Sequence, residues 1–94
     1  MPTNFELAPL LEVIPQLRLI SQSPWQIYSA ELADLKLTVI ISFIGPANAA
    51  AACEHLIGNC SDSRPDFILH GGAAGAINEN LLPGDIVLGA ATKI

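Results

Sequence analysis

Few residues in this sequence could do chemistry. They are a carboxylate, Glu6, at the start of an apolar helical pattern; the run Ser42-Phe43-Ile44-Gly45 after an apolar strand pattern; and Gly71-Gly72-Ala73-Ala74-Gly75-Ala76, preceded by His70. Taken alone, Glu6 is an acid in a first helical turn, where the helix dipole favours negative charge. Small residues after a buried strand let a ligand or another backbone come close to the main chain. The glycine spacing, GGxxG, does not match the dinucleotide fingerprint, and residues 78–84 do not continue as the amphipathic helix that a phosphate cradle needs. The run therefore reads either as a tight packing site or as a ligand loop at the carboxyl end of a central strand, where open α/β sheets bind. Ser42 to Gly45 stand at the corresponding end of the preceding strand, and two such loops at one sheet edge would line a shared crevice. His70 could hydrogen-bond a substrate, but a strand-end histidine satisfied by backbone is commoner, and it is left out of the candidate site. Asp66 and Asp85 stand in Pro-Asp and Gly-Asp turns, where short acids hold the backbone.

Composition excludes several classes. Four basic against nine acidic residues give a net charge of −5, and the scattered Arg18, Lys36, Arg64 and Lys93 make no basic stripe. That argues against nucleic acid and anionic membrane as partners. Cys53 and Cys60 fit neither a metal-ligand spacing nor a secretory bridge pattern, so a reduced, cytoplasmic protein is expected. The apolar runs fall short of the ~20 residues of a membrane helix, and the first residues do not read as a basic-then-apolar leader.

The elements that must position these residues follow from pattern. A helix is expected over 5–13, capped by Asn4, with Leu7, Leu10, Leu11 and Ile14 on one face and Pro15 ending it. Residues 21–24 are turn-rich. Residues 25–32 and 36–42 read as a hairpin reversing at Ala33-Asp34, the second strand near-continuously apolar, as when both faces are covered. Pro46 opens an Ala-rich helix over 47–57 that Gly58 ends. A polar loop over 59–65 leads to a strand at 67–69, the glycine run, a Pro83-Gly84-Asp85 turn and a strand at 86–88. Strand, helix and strand in that order predict a βαβ unit with a parallel sheet. Ninety-four residues bound the chain to at most one small domain. Yet 51% hydrophobic and 14% charged residues suit the interior of a larger α/β protein better than a complete small one. No strand is read ahead of the first helix, which is unusual for such a fold. The expectation is a partial domain over 1–94, with the first strand and the C-terminal half outside it.

The stretches SFIGPANAAAA (42–52) and PDFILHGGAAGAINENLLPGDIVL (65–88) resemble the nucleoside phosphorylase and nucleosidase superfamily, whose members include 5′-methylthioadenosine/S-adenosylhomocysteine nucleosidase and futalosine hydrolase. The shared order is a strand ending in a G-[IV]-G loop, an Ala-rich helix, Pro-Asp, a hydrophobic strand, a G-x-A-G loop and a Gly-Asp turn before another strand. TNFELAPLLE (3–12) looks most like futalosine hydrolase. The resemblance implies a three-layer αβα sandwich of the purine nucleoside phosphorylase/hydrolase type, present as its N-terminal portion. It places Glu6 where the family's hydrolases carry the glutamate that activates water. The leaving purine is served by an aspartate of the C-terminal half, which no residue here matches. It makes Ser42, Ile44, Gly45, Gly72, Ala73, Ala74 and Gly75 the substrate-binding set, with Ile44 against the ribose and its substituent. Two departures stand out. Ala73 replaces the serine usual in methylthioadenosine nucleosidases, which tilts the reading towards futalosine, and Phe43 replaces a glycine, which could narrow the pocket or shift the loop.

The expected activity is N-ribosyl hydrolysis of a purine nucleoside, futalosine or a 5′-thioadenosine. No cofactor or metal is implied, and the implied partners are the small-molecule nucleoside and a second copy of the chain. Two rivals stand beside it: a phosphate-dependent phosphorylase, and a truncated product without catalysis. Phosphorylases of the superfamily hold phosphate with arginines, and neither Arg18 nor Arg64 falls on a loop facing the crevice.

Overall fold

The computed structural model describes residues 1–59, 64–91 and 93. The first helix, α1, spans Asn4–Val13, and its N-cap is Thr3 rather than Asn4. The Thr3 hydroxyl accepts from the Phe5 amide, while Glu6 reaches back to the Thr3 amide, closing a capping box. The sequence signal is the pair Thr3 and Glu6, three residues apart. Asn4 is then the first helical residue. Pro9 lies inside the helix and Ile14 is its C-cap, just before Pro15.

Three antiparallel strands follow in the order β1-β2-β3: β1 at Arg18–Ser21, β2 at Ile27–Leu32 and β3 at Leu35–Ile40. The hairpin β2–β3 pairs Ile27 with Ile40 through to Leu32 with Leu35, and Ala33-Asp34 makes the two-residue reversal. Ala33 takes a φ of +51° there, a left-handed conformation that tight hairpin turns demand. Strand β1 pairs with β2 through an irregularity between Leu19 and Ser21. It was not read from the sequence, because its four residues are flanked by Pro15 and a turn-rich segment.

Side chains alternate across the sheet, as the two-residue strand period requires. Leu7 of α1 packs with Leu17, Ala30, Val39 and Ile41 on one face, with Leu10, Leu11 and Ile14 around them. On the other face, Ile27 and Ile40 pack against Ala52, with Trp25 and Leu56 around them. Ala52 belongs to the second helix, α2, at Pro46–Gly58. The expected helix bounds hold here to within a residue, with Pro46 in the first turn and Gly45 as the N-cap.

Residues 64–91 differ from expectation: the segments at 67–69 and 86–88 are not strands, and no βαβ unit forms among the described residues. Phe67, Leu69, Ile86 and Leu88 are each at least 86% exposed. A parallel strand is stable when both faces are covered and both edges are paired, and nothing among the described residues covers these. The turn between them does form. The Asp85 amide donates to the Leu82 carbonyl at 3.1 Å, and the Asp85 carboxylate accepts from the Leu82 amide at 2.9 Å, the backbone-holding role expected of it. Of the expected loop at 59–65, residues 60–63, and with them Cys60, lie outside the described residues.

One contact ties the N-terminus to the sheet. The Met1 amino group donates to Ile40 O at 3.1 Å, and the Ser42 amide donates to Met1 O at 2.8 Å. One residue bonded to the carbonyl before and the amide after its opposite number is the parallel pattern. Met1 thus lies parallel beside Ile41, on the edge of the sheet opposite β2.

Candidate active site

An open cleft of about 420 Å³ lies where the N-terminus, the end of β3 and the start of α2 meet, within the size range of small-molecule sites. It is lined by Pro2 and Glu6 from the N-terminal segment and α1, by Ser42, Phe43, Ile44 and Gly45 from the loop after β3, by Pro46 and Ala49 of α2, and by His70 and Ala73. Five of the eight residues selected from the sequence therefore meet in one place: Glu6, Ser42, Ile44, Gly45 and Ala73. Gly72 lies beside it. A Cβ there would stand 3.3 Å from the Pro2 ring and 4.0 Å from Glu6 Cγ, so its small size permits a close approach to the N-terminal segment. Ala74 and Gly75 are exposed and do not line the cleft.

Glu6 is held by its own helix. Its Oε2 accepts from the Thr3 amide at 3.0 Å and from the Thr3 hydroxyl. The hydroxyl bond is the main reason its carboxyl titrates below the ordinary value, against a smaller opposing effect of burial. The carboxylate therefore stays ionised at neutral pH, the state that a proton acceptor needs. Both contacts fall on Oε2, and Oε1 makes no hydrogen bond among the described residues. The Met1 amino group is pushed down by burial, and Glu6 partly offsets that.

Ser42 is 5% exposed, and its hydroxyl lies 3.3 Å from Met1 O and 3.1 Å from Phe43 O as a donor. Its proton is directed to backbone, so towards a ligand it offers an acceptor. Ser42 is also the joint that pins the N-terminal segment to the end of β3, placing Glu6 over the loop.

Two residues of the loop take positive φ, and only the one with a Cβ, Phe43, is strained by it. Gly45 takes a φ of +103°, open to glycine alone, and Phe43 takes +64°. For a residue with a Cβ, the left-handed region costs about 1–2 kcal/mol. The Phe43 ring sits 5.9 Å from Trp25, and Trp25 in turn 6.3 Å from His55 of α2. These contacts hold Phe43 in place at the cleft.

The candidate set omits Pro2, Pro46, Ala49 and His70, and it includes Phe43 only as part of the 42–45 loop. Pro46 and Ala49 carried a signal, since residues three apart on a helix share a face and Pro46 directly follows the loop. Phe43 is expected from the sequence in the loop and as a residue that could narrow the pocket, but the alternation of residues 25–28 gives no sign that Trp25 would reach it. Among the described residues, no three of His, Cys, Asp and Glu group as metal ligands would, and no helix is long and apolar enough to cross a membrane.

Comparison with known proteins points the same way. The sequence pattern described as the phosphorylase superfamily matches residues 1–92. The 5′-methylthioadenosine/S-adenosylhomocysteine nucleosidases of Staphylococcus aureus strains RF122 / ET3-1 and MRSA252 are each 34% identical over 83 residues, 88% of this chain and 35% of theirs. The same enzyme of strain Newman matches to the same extent. The chain thus spans about a third of the length of these relatives. No solved structure matches.

Proposed function

The chain belongs to the phosphorylase superfamily, and on that premise we propose that the intact protein is a nucleosidase that hydrolyses the N-ribosyl bond of a purine nucleoside. The observation that carries this reading is the meeting of Glu6, the Ser42–Gly45 loop and Ala73 in one cleft. The likeness to nucleosidases named for 5′-methylthioadenosine and S-adenosylhomocysteine supports a purine nucleoside as the substrate class. The finer choice lies between futalosine, favoured by Ala73 and by the N-terminal run, and a 5′-thioadenosine. The fold of the intact protein is a three-layer αβα sandwich. In it a parallel strand continues beside β3 along the edge that Met1 occupies, and further chain covers residues 67–69 and 86–88. It works in the cytoplasm as a homo-oligomer.

In the proposed step, water attacks the anomeric carbon as the bond to the purine nitrogen breaks. Glu6 accepts the proton that the water loses, and the departing base takes a proton from a group outside these residues. The transition state has oxocarbenium character, so a carboxylate near the sugar also stabilises its charge. Water rather than phosphate is the proposed nucleophile, and the cleft's lining supports this, since no arginine is found there among the described residues: Arg18 stands on β1, and Arg64 is not among the lining residues.

The test is release of base by the full-length protein with and without inorganic phosphate. Release at the same rate in both supports hydrolysis. Release that needs phosphate would make the protein a phosphorylase and overturn this reading.

A further inference from the structure

Phe43 is a largely exposed residue held in a backbone conformation that its own type disfavours. It is not part of the core, being 52% exposed, yet it lines the cleft and holds a left-handed backbone conformation at φ +64°. A bulky residue persists there only where its surroundings determine it, and such outliers gather at ligand sites. Its surroundings do so from both ends. The Ser42 hydroxyl donates to the Phe43 carbonyl at 3.1 Å. The ring rests at 5.9 Å on Trp25, tilted by 35°, and Trp25 is backed by His55 of α2 at 6.3 Å. Trp25 itself does not line the cleft, so its effect there passes through Phe43.

The cleft is divided in chemistry. Glu6, Ser42 and His70 make its polar part, and Phe43, Ile44, Pro46 and Ala49 its apolar part. A sugar with its hydroxyls belongs to the first and an apolar substituent to the second. We propose that Phe43 is the specificity-determining residue of this cleft: a fixed aromatic wall, buttressed by Trp25, that limits the width of the apolar substituent admitted beside Ile44. This rests on the nucleoside reading given above. A mobile ring would yield to a wider ligand. A ring held by a second ring, on a backbone that has already left the ordinary region, yields less.

The experiment measures binding of three adenosine 5′-thioethers, with methyl, butyl and benzyl groups, to the full-length protein by calorimetry. Phe43→Gly removes the wall and places at this position the residue that adopts its φ freely. The wild-type protein should favour the methyl over the benzyl compound by roughly 10- to 100-fold, the discrimination that one apolar wall supplies. In Phe43→Gly the ratio should fall to within about threefold, chiefly by tighter binding of the benzyl compound. Trp25→Ala should give an intermediate ratio, because the wall remains without its support. If Phe43→Gly does not fold, Phe43→Leu together with Trp25→Ala carries the test, each with a reduced ratio. A ratio unchanged within twofold in the folded variants overturns the role of Phe43 and leaves the nucleoside reading intact. Failure of the wild-type protein to bind any of the three overturns this inference; binding of futalosine by the same protein would then leave the nucleoside reading intact, and failure to bind futalosine as well overturns that reading too.

Discussion

Glu6 has one role in the fold and a second in the proposed reaction, and their demands differ. As the closing residue of a capping box it is held by Thr3, which keeps its carboxyl below the ordinary value of 4.5. A general base is most effective with a pKa near the working pH, so the cap keeps Glu6 ionised while lowering its basicity. The stability consequence has a definite sign. A carboxylate depressed in the folded state stabilises it above the unfolded value and loses that contribution as pH falls through the folded value. Thermal melts of wild type and Glu6→Gln should therefore differ most at neutral pH and converge as the pH drops below 4.5. A gap that stays constant down to pH 3 would contradict the capping role. Thr3→Ala should cost about 0.5–2 kcal/mol, the usual loss for an N-cap. It should also raise the Glu6 pKa towards its ordinary value, which a carboxyl titration followed by NMR would read. Of the residues that meet in the cleft, Glu6, Ile44, Gly45 and Ala73 were legible through motif and family pattern. Ser42 was legible too, Phe43 was legible as a residue that could narrow the pocket, and His70 is weighed and set aside; Pro2 and Ala49 were not legible, because a residue's place in a cleft depends on contacts between elements distant in sequence.

At the scale of elements, the chain was legible wherever a segment carries its own stabilisation. Helix α2 has an alanine run, a proline in its first turn and a glycine N-cap, and its bounds follow from these. The hairpin β2–β3 has two apolar strands and a two-residue reversal. Segments whose stability comes from neighbours were not legible: β1 is four residues long, and 67–69 and 86–88 look like strands by composition but have no partner among the described residues. The same distinction sets the size of the mutational effects. Leu7 is 1% exposed where α1 meets the sheet, so Leu7→Ala should cost about 2–5 kcal/mol in denaturant melts. A loss below 1 kcal/mol would mean that α1 is not docked as described. Ala33→Gly should act in the opposite direction. It relieves about 1–2 kcal/mol of left-handed strain against roughly 0.4–1 kcal/mol of added unfolded-state entropy. The melting temperature should rise slightly; a fall would show that the turn is not strained at Ala33.

At the scale of the molecule, two parts of unlike character share the chain. Residues 1–58 bury Leu7, Ile41 and Ala52 almost completely between two helices and a sheet. Residues 64–91 expose Phe67, Leu69, Ile77, Ile86 and Leu88. The radius of gyration of 14.5 Å exceeds the roughly 12.4 Å of a compact chain of this length, in keeping with an apolar stretch laid on the outside. Hydrogen exchange of the 94-residue chain should find the amides of β2 and β3 protected and those of 67–69 and 86–88 exchanging freely. Protection in the latter would contradict this division.

The central claim is that Glu6 serves as the base of a nucleosidase, and one measurement bears on it most directly. In the full-length protein, Glu6→Gln should lower kcat for base release from whichever of futalosine and 5′-methylthioadenosine the wild type cleaves by about 10²–10⁴-fold, the range for a positioned general base, while the Kd for that nucleoside changes by less than threefold. Base release at the wild-type rate in that variant, with the protein folded and binding substrate, would contradict it.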